Sequence, residues 1–100
     1  VAHTAFETSL DTLLEEPKLY CVSLLNDDYT AMDFVTRILI EVFDKTPDEA
    51  TSIMLRIHNK GKGVCGVYTY DIAELKSQIV SQKARELDYP LRVIIEEMPS

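Results

Sequence analysis

Asn26, Asp27 and Asp28 are three consecutive side chains with carbonyl or carboxylate oxygens, set between the apolar pair Leu24-Leu25 and the run Tyr29-Thr30-Ala31-Met32. A helix is predicted to start directly after them. Thr30 with Asp33 three residues on has the spacing of a capping box, which makes Thr30 the N-cap. The three oxygen-bearing side chains then stand at a strand-to-helix corner, where such residues most often do no more than shape a turn. A second polar residue in apolar company, His58, follows Ile53, Met54 and Ile57 at the end of the next helical stretch. Alone it reads as a satisfied core histidine. Taken together the groups read differently. A helix that lays Met54, Ile57 and His58 toward Met32 and Val35 of the preceding helix encloses an apolar pit, with Asn26, Asp28 and His58 as acceptors on its rim. Val35 and Ile57 are sufficiently explained as ordinary core. Met32, one turn inside the helix and next to the polar corner, is the better pocket residue, because a methionine adapts to varied shapes. Three acceptors beside a hydrophobic hole suit a ligand with one apolar side chain and one ammonium, such as a protein's free N-terminus. His58 can accept from that ammonium only while its ring is neutral.

Other chemistries fit less well. Gly61-Lys62-Gly63-Val64-Cys65-Gly66 matches G-x-G-x-x-G letter for letter. The dinucleotide fingerprint needs a strand before it and a helix after it, whereas here a helix precedes and a strand follows. Cys65 and His58 make a poor nucleophile and base, since Cys65 lies in a strand-like run with no helix N-terminus to lower its pKa. Asp27, Asp28 and His58 have weak ligand spacing for a metal. No enzyme activity, cofactor or metal is expected.

The elements that must position these residues can be read along the chain. In residues 1–18, Phe6, Leu10, Leu13 and Leu14 make one helical stripe with acidic residues around it, and Pro17 ends the pattern. This stretch is either a short amphipathic helix or a frayed tail, and is treated as a flexible N-terminal arm on a core domain of residues 19–100. Residues 19–25 read as a buried strand and residues 31–43 as the first helix. Thr46-Pro47-Asp48-Glu49 opens a second helix, with Thr46 as N-cap, Pro47 at N1 and Glu49 closing a capping box. Gly61 supplies the left-handed residue that ends it. Residues 63–69 read as a strand. Thr69 or Asp71 caps a third helix whose buried side is Ile72, Leu75, Ile79, Val80 and Leu87. Pro90 breaks it, and residues 91–96 form the last strand. The order β-α-α-β-α-β gives an α+β sandwich, a three-stranded antiparallel sheet packed against helices.

With 100 residues, 46% of them hydrophobic, the chain suits one domain with a single modest core. A formal net charge of -7 argues against nucleic acid, which needs a Lys/Arg stripe. No apolar run approaches the roughly 20 residues of a membrane span, and no secretory leader is evident. Cys21 and Cys65 are read as two buried free thiols in a reducing compartment.

The motifs carry a specific resemblance. Asn26-Asp27-Asp28-Tyr29-Thr30-Ala31-Met32-Asp33-Phe34-Val35, then the stretch from Ala50 to Lys62 with its Ile53-Met54-Leu55 and Ile57-His58, then Cys65-Gly66-Val67-Tyr68-Thr69, resemble the ClpS family of proteolytic adaptors in this order and at close spacing. The resemblance covers about residues 20–96. It implies a non-catalytic adaptor that binds substrate proteins whose N-terminal residue is Leu, Phe, Tyr or Trp. These would be delivered to the N-terminal domain of a ClpA- or ClpC-type AAA+ unfoldase. Carried over by position, Asn26, Asp28 and His58 contact the α-amino group, while Asp27 contacts it or shapes the corner. Met32 is the gate against β-branched side chains. Thr30, Val35, Met54, Ile57 and Leu91 line the pocket with it. Lys76 matches a position on the unfoldase-facing surface, and Asp71 replaces the Glu usual there. The arm corresponds to an extension needed for delivery. A monomer is expected, in the bacterial cytoplasm or alternatively the plastid stroma. Ala31 stands where many members carry Pro, which leaves the helix intact and the loop before it less stiff. The competing reading is a plain interaction domain that uses a helix face and has no amino-terminus pocket.

Overall fold

The computed structural model describes residues 17–99; residues 1–16, with the apolar stripe of the predicted arm, lie outside the described residues. The elements are β1 (Tyr20–Leu25), α1 (Met32–Glu41), α2 (Pro47–Lys60), β2 (Lys62–Tyr68), α3 (Tyr70–Glu86) and β3 (Arg92–Glu97). They form the expected α+β arrangement, with strand order β2-β1-β3 and both pairings antiparallel. The central strand is the most apolar in position. Val22 and Leu24 are fully buried, and α1 lays Phe34, Val35, Ile38 and Leu39 into the same core. Ser23 points to the other face, between its register partners Val64 and Ile94, and its hydroxyl is buried without a partner. A Lys62–Glu96 ion pair at 2.6 Å joins β2 to β3 on that face. No helix among the described residues is long and apolar enough to cross a membrane.

The ends of α2 form as read. Thr46 Oγ1 accepts from the Glu49 N–H, and the Glu49 carboxylate accepts from the Thr46 N–H, with Pro47 at the first helical position. Gly61 ends the helix at φ +87°, a left-handed conformation that strains any side chain bearing a Cβ.

The beginning of α1 differs from expectation. Its N-cap is Ala31, which has no side-chain capping bond, and the Thr30–Asp33 box does not form. Thr30 is taken instead by Asp27, whose carboxylate accepts from both its N–H and its hydroxyl. The helix accordingly covers Met32–Glu41 rather than residues 31–43.

The predicted buried face of α3 is also corrected. Ile72, Leu75 and Leu87 are exposed, while Ala73, Val80 and Ala84 are buried. Val80 is buried as predicted and Ile79 packs against the core, so the burial is carried by residues at i, i+7 and i+11 with Ile79 beside them. Thr69 is the N-cap of this helix, with no side-chain capping bond. Cys21 is half-buried rather than buried, and Cys65 is buried.

Thr46→Ala removes one side of the α2 capping box. It is expected to lower stability by about 1 kcal/mol and the melting temperature by roughly 4–8 °C for a domain of this size. Thermal unfolding followed by circular dichroism checks this; an unchanged melting temperature would show that the box carries no stability.

Candidate functional site

The C-terminal end of β1 and the C-terminal end of α2 are joined by one backbone bond: the Asn26 N–H donates to the Gly61 carbonyl at 2.9 Å. Gly61 also caps α2 through its own N–H, which donates to the Ile57 carbonyl. Ile57 and His58 thus end up beside Asn26. A second close approach holds the same end of α2 against β2. A Cβ built on Gly63 would lie 2.7 Å from Ile57 Cγ1, so only glycine admits the helix at this distance. Two of the three glycines of the apparent dinucleotide motif, Gly61 and Gly63, therefore have a structural use at this junction.

Asp27 organises the corner. Its Oδ1 accepts from the N–H groups of Tyr29 (2.8 Å) and Thr30 (2.7 Å), and its Oδ2 accepts from the Thr30 hydroxyl (2.7 Å). Partial burial pushes the carboxyl up, but the bonds from the Thr30 hydroxyl, the Thr30 N–H and the Tyr29 N–H outweigh it and hold the group below its ordinary value. The loop is thereby pinned immediately ahead of α1.

These elements enclose a cleft. Asn26, Asp27 and His58 stand around it with Thr30, and Met32, Val35, Met54, Ile57 and Leu91 supply its apolar lining. The geometry thus brings together nine of the ten residues expected at an amino-terminus pocket. The tenth, Asp28, is exposed at the corner and does not line the cleft. Leu25 lines it although no sequence argument placed it there. Alternation along β1 assigns Leu25 to the face opposite Leu24, so only the end of the strand and the turn after it bring it in.

The cleft is nearly shut. Its volume is about 20 Å³, room for roughly one water molecule. A leucine or phenylalanine side chain enters only if part of the wall moves. Met32 is 42% exposed and Met54 is half-buried, so these two flexible side chains are the parts able to move without disturbing the core.

Burial pushes the Cys65 thiol up to about 12, so it stays protonated near neutral pH and is no nucleophile. Among the described residues, no group of three or more His, Cys, Asp or Glu side chains is placed to hold a metal ion. Asp71 is exposed at the start of α3. Lys76 is largely enclosed: its ammonium donates to the Val42 carbonyl at the end of α1, lies 3.8 Å from Asp44, and sits over the rings of Tyr68 and Phe43.

Comparison with known proteins agrees with this geometry. The family model for "ATP-dependent Clp protease adaptor protein ClpS" matches residues 15–94. An ATP-dependent Clp protease adapter protein ClpS from Helicobacter hepaticus is 80% identical over 99 residues, spanning 99% of this chain and 100% of the relative. The protein of the same name from Wolinella succinogenes is 50% identical over 94 residues, spanning 92% of each. Among solved structures, Agrobacterium tumefaciens ClpS2 bound to L-phenylalaninamide superposes with a TM-score of 0.80 at 40% identity, covering 83% of this chain and 100% of that one. With a family match across most of its length and relatives this similar, the chain belongs to the ClpS family of Clp protease adaptor proteins.

Proposed function

We propose that the chain captures proteins by a free N-terminal residue that is Leu, Phe, Tyr or Trp and hands them to a ClpA- or ClpC-type AAA+ unfoldase. The observation that carries this reading is the convergence of polar Asn26, Asp27 and His58 on a cleft otherwise walled by Met32, Val35, Met54, Ile57 and Leu91. An ammonium needs acceptors, a bulky apolar side chain needs a dry hole, and both are offered within one residue's reach. The ligand of the Agrobacterium relative has the same two parts, a free α-amine and a benzyl group. Asn26 and His58 accept from the ammonium. Asp28, exposed at the corner, adds negative charge beside it, and Asp27 holds the loop in place while facing the cleft. Met32 closes the mouth over the bound side chain. The exposed surface near Asp71, with Ile72 and Leu75, faces the unfoldase; Lys76 belongs to that surface and is braced against the end of α1. Residues 1–18 serve delivery, the protein acts as a monomer, and its compartment is the cytoplasm.

Acetylating a Leu-initiated peptide removes the charge and two of the three donors. Hydrogen bonds to a charged group contribute about 1.5–3 kcal/mol each, so affinity is expected to fall by roughly a hundredfold, about 2.8 kcal/mol. Asn26→Ala is expected to reproduce part of that loss. Fluorescence anisotropy with the two peptides measures it, and equal binding would leave a plain helix-face interaction domain as the better description.

Leu, Phe, Tyr and Trp at the first position are expected to outbind Ile and Val by about tenfold or more, 1.4 kcal/mol. A branch at Cβ collides with Met32 near the anchored backbone. In Met32→Ala the gap should narrow. Equal affinity for Leu and Ile in the unmutated protein would remove the gate.

The depressed Asp27 carboxyl makes the loop sensitive to acid. A group whose folded value is lowered contributes stability above its ordinary value of 3.8 and loses it as the pH falls through the folded value. The amide resonances of Tyr29 and Thr30 are therefore expected to titrate together below that value, and to stay in place at neutral pH. Asp27→Asn keeps an acceptor but cannot ionise, so the step should vanish; its persistence in that variant would assign it to another carboxylate.

A further inference from the structure

The amino-terminus cleft shares two of its walls with a larger, open groove. Met32 and Met54 border both. Beyond them the groove follows α1 along Thr36 and Ile40, and its volume is about 440 Å³. The positions Met32, Thr36 and Ile40 repeat at i+4 and so lie in one row on the helix. The surface they offer is apolar. Met32 is 42% and Ile40 36% exposed, and the Thr36 hydroxyl is turned back onto the Met32 carbonyl at 3.1 Å, which occupies its donor. At the far end Arg37 and Glu41, 3.8 Å apart, form an ion pair, and Asp33 borders the groove at its near end beside Met32.

We propose that this groove is a second subsite of the same cleft, and that it takes the side chain of the third residue of a bound protein when that residue is apolar. The proposal rests on the amino-terminus reading given above. Spacing selects the third residue. An extended chain advances about 3.3 Å per residue and points successive side chains to opposite sides. With the first side chain in the cleft, the second points away from the surface. The third points back to it roughly 6.6 Å further along. On α1, at 1.5 Å per residue, Thr36 lies about 6 Å and Ile40 about 12 Å beyond Met32. The third side chain therefore lands level with Thr36, between Met32 and Ile40. Its occupant is apolar because the row Met32, Thr36 and Ile40 offers apolar atoms and no unoccupied donor. Of the charged residues on the border, Arg37 and Glu41 are paired with each other and Asp33 stands at the edge beside Met32.

The test uses the full chain and peptides of the form Leu-Gly-Xaa followed by a Gly/Ser tail with a C-terminal fluorophore, where Xaa is Leu, Phe, Ser or Gly. A second set moves Xaa to position two. Anisotropy titrations are expected to show Leu and Phe at position three binding about fivefold tighter than Ser or Gly, about 1 kcal/mol, with a smaller spread at position two. Ile40→Ser, at a partly exposed site, should erase the position-three preference. The discrimination between free and acetylated Leu at position one, set in the neighbouring cleft, should remain. Equal binding across the position-three set, or a preference that follows position two, overturns the proposal while leaving the amino-terminus reading intact. Equal binding of free and acetylated peptides overturns that reading instead, and the subsite with it. A position-three preference that emerges only after deletion of residues 1–16 would assign the groove to the chain's own N-terminal segment.

Discussion

The hydrogen bond from the Asn26 N–H to the Gly61 carbonyl is the constraint on which the site depends. It ties the end of the central strand to the end of α2, two elements separated by a helix and two loops in sequence. Gly61 can take part because its left-handed conformation turns the chain out of α2 and sets its carbonyl facing β1. The neighbouring Gly63 admits Ile57 against β2 at a distance no other residue allows. The polar rim and the apolar walls are consequences of this junction. Asn26 comes from one side of it, His58 and Ile57 come from the other, and α1 closes the remaining side with Met32 and Val35.

A division of labour among the acidic corner residues follows. Asp27 accepts three hydrogen bonds from its own loop, which leaves its carboxylate little capacity for a ligand. What it supplies is a fixed starting direction for α1 and hence a fixed place for Met32. Ala31, extended and without a side-chain cap, adds nothing to that stiffness. The pinning by Asp27 replaces what a proline at 31 would otherwise supply through a restricted φ. Against this rigid frame the mouth is soft. The cleft has room for about one water and is walled partly by two methionines, side chains that can change shape by rotation.

The opposite side of the molecule is built on a different principle. α3 buries Ala73, Val80 and Ala84 and packs Ile79 against the core, while Ile72 and Leu75 form an exposed apolar strip. Lys76 sits within that strip but reaches back to the Val42 carbonyl, at a helix C-terminus where a cation is favoured by the helix dipole. The same residue therefore braces the end of α1 against α3.

Local chemistry was legible in the amino-acid sequence. The capping box at Thr46 and Glu49, the left-handed stop at Gly61, the order of strands and helices and the α+β class all depend on residues a few positions apart, and all formed. The motifs shared with the ClpS family contain eight of the cleft residues, and the wider resemblance added Leu91. Competition and distance decided the rest. Thr30 had two acidic partners within three residues, and spacing alone could not say that Asp27 rather than Asp33 would hold it. The stripe of large residues on α3 was a plausible core face, but packing buried Ala73 and Ala84 beside Val80 and left Ile72, Leu75 and Leu87 exposed. Asp28 is exposed and outside the cleft lining while Leu25 lies within it, at the end of β1 where the two-residue alternation of the strand gives way to a turn. Periodicity reports which residues share a face, but only tertiary packing determines which face is covered, how closely, and how much room is left for a ligand.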